Sequence, residues 1–231
     1  MREYTIEQSS LNCRWTYERM LPSLPNPGSA AFASLCKGLH SYGISPSGVF
    51  AEAPSSRLSD VNIGISLIDN RVILRFTAGW FELNVNNLFD TDEEGLIGIA
   101  DQVFIALKLI DGDTTNGSMR VRLSSHLKLP PLEASTFLEE HFRLHETIPG
   151  LIPDAAAYKV NLQQKTKSQE LRMVIAKSLI ITDGIFIDLT AEYRGTAAPV
   201  QFAEWINSDF KETTELLGLK PKTIEEGKKA L

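Results

Sequence analysis

The residues whose types could do chemistry are few: four histidines, two cysteines and some acid clusters. His141 and His145 stand four apart beside Glu139, Glu140 and Glu146. That spacing puts both imidazoles on one face of a helix, a geometry that chelates zinc. No third ligand is tied to the pair by sequence. Phe137, Leu138, Phe142 and Leu144 mark the other side of an amphipathic helix, so a solvated polar face is expected and zinc is not. Asp111, Asp113 and Asn116 ahead of Gly117 approach a calcium-loop pattern. Counted from Asp111, the glycine belongs at 116, and the bidentate acid falls where Arg122 stands. A helix-to-strand turn is the expectation there.

Cys36 and His40 are four apart near a helix end, a conceivable thiolate–imidazole pair. With Leu35 and Leu39 as neighbours, Cys36 reads instead as a small buried hydrophobe. His126 and Ser124 share the polar side of a strand, with no acid assigned to them, and read as surface residues. Trp15, Trp80 and Trp205 could line a ligand pocket, but their apolar neighbours point to the core. Arg14 and Arg122 each stand near a strand start and are expected to pair with a carboxylate. No catalytic, cofactor-binding or metal-ligating residue is assigned on these grounds, and no cofactor is expected.

The frame around these residues is ordinary. The chain has 231 residues, 43% hydrophobic and 23% charged, with a net charge of -6. That is globular composition, and the acidic balance argues against a nucleic-acid backbone as partner. Cys13 and Cys36 have neither disulfide-framework nor zinc spacing. The first residues, MREYTIEQSS, have no apolar signal region, and no apolar run is long enough for a membrane span. A cytoplasmic protein without membrane contact is expected. Gly-rich phosphate loops, GxSxG and HExxH are missing.

Periodicity supplies the elements. Residues 11–20 alternate as a strand, and 29–42 have helical spacing with Ser29 as cap and Gly43 as stop. A short strand falls near 49–51. Strands at 61–68 and 71–78 flank Asp69-Asn70, a tight-turn pair. A third strand covers 80–88, with a phase switch at Gly79 that demands a bulge or turn. Residues 91–110 form a helix apolar almost all round, opened by a Thr91–Glu94 capping box, and it is expected to be the most buried helix. The second half repeats the order: strand 119–129, helix 132–147, strands 158–164, 171–182 and 185–193, and helix 198–217. Asp183-Gly184 marks a hairpin. The charged tail after 217 is expected to be loose.

Both halves thus read β-α-β-β-β-α. At an offset of 108 residues, RWTYERMLPSL (14–24) and RLSSHLKLPPL (122–132) share four of eleven positions. The expected fold is α+β, a tandem duplication with helices packed on antiparallel sheets. The expected units are 1–117 and 118–217, followed by the tail at 218–231.

With Arg122 to Pro130, Gly79-Trp80-Phe81 and the final helix after Tyr193, the chain resembles a sporadically distributed bacterial family of unknown function. The resemblance covers most of the chain and implies no known activity. Two functional expectations follow. One is a non-enzymatic protein-interaction or ligand-binding protein that self-associates as a homodimer. The other is a double hot-dog-like enzyme acting on acyl-thioesters, which would show a deep apolar tunnel with an acid or histidine at its mouth.

Overall fold

The structure is a computed structural model and describes residues 1–22, 26–44, 48–52, 61–111, 117–141, 157–162, 170–194 and 198–222. Its strands are β1 (Arg2–Tyr17), β2 (Val49–Glu52), β3 (Asn62–Leu67), β4 (Val72–Phe76), β5 (Trp80–Asn86), β6 (Gly117–Lys128), β7 (Ala157–Leu162), β8 (Glu170–Lys177), β9 (Gly184–Arg194) and β10 (Leu219–Pro221). Its helices are α1 (Ala30–Gly38), α2 (Glu93–Asp111), α3 (Glu133–His141) and α4 (Pro199–Leu216). Nine strands make one open antiparallel sheet in the order β2-β3-β4-β5-β1-β6-β9-β8-β7, and β10 runs parallel to the start of β1. The fold is mixed α+β. None of the described helices is long and apolar enough to cross a membrane.

Strand alternation sorts the sheet into two faces. Trp15, Phe81 and Phe76 stand side by side across β1, β5 and β4, as do Met119 and Tyr193 across β6 and β9. These residues are buried, and so are Phe32 and Leu35 of α1, Val103 and Leu107 of α2, Phe137 of α3 and Phe202 of α4. All belong to one continuous core, which places the helices on this face. Val103, Phe104 and Leu107 are buried as the helical spacing predicts, whereas Ile105 and Leu109 on the outer side of α2 are exposed.

Several element ends differ from expectation. β1 begins at Arg2 because its inward phase changes midway. Ile6 pairs with Leu127 and Gln8 with His126, which leaves Glu7 as the extra residue of a bulge. Tyr4 and Ile6 therefore continue the inward side of Ser9 and Leu11 with the opposite parity, and simple alternation does not detect it. β8 stops at Lys177, not near 182. The Ser178 hydroxyl accepts from the amides of Ile180 and Ile181, curling the chain into a turn that leaves Leu179 and Ile180 exposed. The tail is not loose from its start, because Leu219–Pro221 pairs with Arg2–Tyr4. The phase switch at Gly79 is a hairpin turn: the Thr77 hydroxyl accepts from the amides of Gly79 and Trp80. The turn at Asp69-Asn70 has positive φ at both residues and also at Ile68.

The cap of α2 also differs. Asp92, not Thr91 with Glu94, turns the chain in, accepting from the Phe89 amide at 2.9 Å. Arg71 grips the same carboxylate through both terminal nitrogens at 3.0 and 2.9 Å. Ser29 caps α1 as expected, accepting from Phe32 at 3.1 Å.

Candidate functional site

Between α2, α4 and the central strands lies a cavity of about 380 Å3. Its floor is the inward face of β1, β5 and β6, including Leu11, Cys13, Leu83, Leu123 and the serines Ser9 and Ser125. Its walls are Leu96, Ile97 and Ala100 of α2 and Ala203, Ile206 and Phe210 of α4. The cavity exists because alanines stand where the two helices face each other above the floor. A larger side chain at Ala100 or Ala203 would close the space.

One end is sealed by aromatic packing. The Trp15 ring meets Phe104 edge-on at 5.2 Å and Phe202 at 5.3 Å, and Phe81 meets Phe104 at 5.8 Å. At the rim, the Asn207 amide donates to Glu93 Oε1 at 3.3 Å. Phe89, exposed at the edge, lies under the Arg71 guanidinium at 5.0 Å. A second recess of about 520 Å3 adjoins the cavity, shares Ile6, Ser9, Leu88 and Phe89 with it, and reaches Pro221 and Lys222.

Among the described residues, Glu93 is the one ionisable acid or base on the lining apart from the thiol of Cys13. Burial, with the charge of Glu82 second, pushes that thiol up to about 12, so it stays protonated and unreactive. Ser9 and Ser125 are both buried, and their hydroxyls share one hydrogen bond of 2.9 Å across the β1–β6 pair.

No known protein family matches this chain. No curated protein sequence matches it either.

Among the described residues, Cys36, His40, His126 and His141 do not line the cavity. His141 donates from Nδ1 to the Phe137 carbonyl at 3.0 Å and stacks on the Phe137 ring. His145 lies outside the described residues, as do Asp113 and Asn116. Among the described residues no three His, Cys, Asp or Glu side chains gather as a metal site. Cys36 packs against the core, and burial raises its thiol, the reverse of what a nucleophile needs.

His126 is less superficial than its position on a polar strand side suggests. Its ring lies 4.8 Å from that of Phe186, and its Nδ1 is 3.0 Å from the Ser178 hydroxyl. That hydroxyl already accepts from two amides, so it donates to Nδ1, and the proton of a neutral ring sits on Nε2. Burial lowers the pKa of this histidine, in keeping with a neutral ring.

The two arginines do meet carboxylates, on the open face of the sheet. Arg14 Nε donates to Glu82 Oε2 at 2.8 Å, and its guanidinium lies 4.4 Å over the Trp80 ring. Trp80 thus stacks on this face, apart from the helix-side core. Arg122 Nε donates to Asp188 Oδ1 at 2.8 Å, beside the Ser124 hydroxyl at the same distance. Trp15 alone of the three tryptophans lines the cavity. The cavity itself escapes sequence reading because its two walls come from helices about a hundred residues apart. Ala100 and Ala203 are the only local sign, and isolated alanines in helices are ordinary.

Proposed function

We propose that the protein is a binding protein without a reaction of its own, and that it holds an apolar molecule between α2 and α4. The carrying observation is the apolar cavity of about 380 Å3, open at the rim and floored by the sheet. Its volume falls in the range of small-molecule sites, and its lining is mostly apolar with a few polar groups, as such sites are. Titration with the neutral fluorophore N-phenylnaphthylamine tests this. The full chain should enhance its fluorescence saturably, and Ala203→Leu should weaken binding at least tenfold while leaving the circular-dichroism spectrum unchanged. Equal binding by the variant would sink the reading.

The acyl-thioester hydrolase is the competing reading, and Glu93 at the rim is the observation that favours it. Thioester turnover that disappears in Glu93→Gln would move the assignment to an enzyme. Self-association is part of the proposal. Leu132, Leu179 and Ile180 are 81%, 86% and 59% exposed, and the Leu132 amide reaches Asp183 in the turn that carries the other two. A second copy covering this patch gives a closed dimer with one self-complementary surface. Light scattering that finds a single chain at micromolar concentration removes this part.

The reading also takes residues 1–117 and 118–217 as copies of one unit. Strand order supports it: from the centre outward the sheet runs β1-β5-β4-β3 on one side, with β2 as an added edge strand, and β6-β9-β8-β7 on the other. Register supports it too. Adding the same 108 residues to both members of the pair Arg14–Glu82 gives the pair Arg122–Thr190. The acid then sits two residues away, at Asp188, on the same face of the strand. A reducing, cytoplasmic setting and no nucleic-acid partner complete the proposal, supported by two unpaired cysteines and net negative charge.

A further inference from the structure

The cavity floor carries a polar feature that an apolar lining alone does not explain. Ser9 and Ser125 are both buried, and among the described residues their hydroxyls bond only to each other. Two hydroxyls carry two protons, and their mutual bond uses one. Among the described residues the second proton has no acceptor, and both serines line the cavity. A buried donor without a partner is unfavourable, and a ligand acceptor placed against it relieves the deficit.

We infer that the ligand is an uncharged molecule with an apolar body and one carbonyl-type acceptor, seated with that oxygen on the Ser9–Ser125 pair. This rests on the cavity reading above. Charge narrows the class further. Among the described residues no lysine, arginine or histidine lines the cavity, and the one charged side chain on its lining is the carboxylate of Glu93. A carboxylate or phosphate head would therefore be desolvated with no cation to receive it. A ketone, ester or amide oxygen needs only the donor that the serine pair supplies. Selectivity is built into the pair: either serine alone still has a hydroxyl proton to give, and only loss of both removes the donor.

The test uses the full chain and two neutral ligands of nearly identical shape. One is methyl heptyl ketone. The other is its methylene isostere, in which a CH2 group replaces the carbonyl oxygen. Displacement of N-phenylnaphthylamine gives both dissociation constants. In the double variant Ser9→Ala/Ser125→Ala the ketone should bind about fivefold more weakly, the factor that one neutral hydrogen bond contributes. The isostere should be unaffected, and each single variant should keep most of the ketone affinity. Circular dichroism and thermal melts confirm that the variants are folded; if Ser9→Ala/Ser125→Ala is not, Ser9→Cys/Ser125→Cys, which nearly keeps the volume and replaces each hydroxyl by a weak donor, takes its place with the same expected loss of ketone affinity. If ketone and isostere respond alike to the double variant, the serine pair does not read the ligand and this inference fails while the cavity reading stands. If neither ligand displaces the fluorophore, or displacement is indifferent to Ala203→Leu, the cavity reading fails with it.

Discussion

On the helix-covered face of the sheet, Trp15 and Phe81 stand opposite each other on β1 and β5. One residue along the same two strands, on the open face, Arg14 stands opposite Glu82. A single register therefore serves two kinds of cohesion. The covered face is held by packing, where aromatic rings meet edge-on around Phe104 and the buried Nε1 of Trp15 has no partner among the described residues. Among the described residues no helix covers the open face, and its side chains are held by one another: Arg14 by Glu82 and Trp80, Glu82 by Asn84, and Asn84 by Asn12. The covered face tolerates a gap, which is the cavity. The open face shows how a carboxylate is kept charged close to a sheet surface.

The largest test of this contrast lies on the covered face. Phe104→Ala, which removes a ring from the sealed end, should cost about 3–5 kcal/mol. Phe210→Ala, on the open wall of the same cavity, should cost less than about 2 kcal/mol, because the ring is only partly packed. Urea denaturation of both variants decides it, and equal losses would mean that the two ends of the layer are packed alike.

A smaller effect tests the open face. Burial raises the pKa of Glu82, but hydrogen bonds from Asn84 and Arg14, with the charge of Arg14, outweigh it and hold the group below its ordinary range. A depressed carboxyl pKa contributes stability that is present at neutral pH and lost as pH falls through the folded-state value. Glu82→Gln should therefore cost about 1 kcal/mol at neutral pH, with the gap to the parent closing as pH falls below the ordinary carboxylate range. A gap that stays constant with pH would show that the pair holds the strands by shape and not by charge.

How much of this was legible in the sequence depends on the range over which each signal acts. Alternation in 11–17 and 119–127 marked the inward faces of β1 and β6, because a strand's two faces are written two residues apart. The helix signals of 91–110, apolar almost all round, and of 198–217 were equally local. The bulge at Glu7 was not readable, since nothing distinguishes an extra residue until the partner strand is known. Leu179 and Ile180 read as strand by propensity, and a serine hydroxyl turned the chain instead. The histidine and cysteine pairs singled out for chemistry were near in sequence, whereas Ser9 and Ser125 are 116 residues apart and meet only through β1–β6 pairing. Their residue type gave no signal, because serine in a strand is commonplace.

The parallel pairing of β10 with the first residues of β1 has a kinetic side. Arg2 and Leu219 are opposite each other, and the Arg2 amide donates to Gly218. Closing a contact across nearly the whole chain costs the most entropy when little else is formed. It becomes inexpensive only after β1 has joined β6 and α4 has docked, when the remaining loop is short. The entropy argument makes this three-residue seam a late step of folding, and the buried side chains of Tyr4 and Leu219 then fasten it to the core.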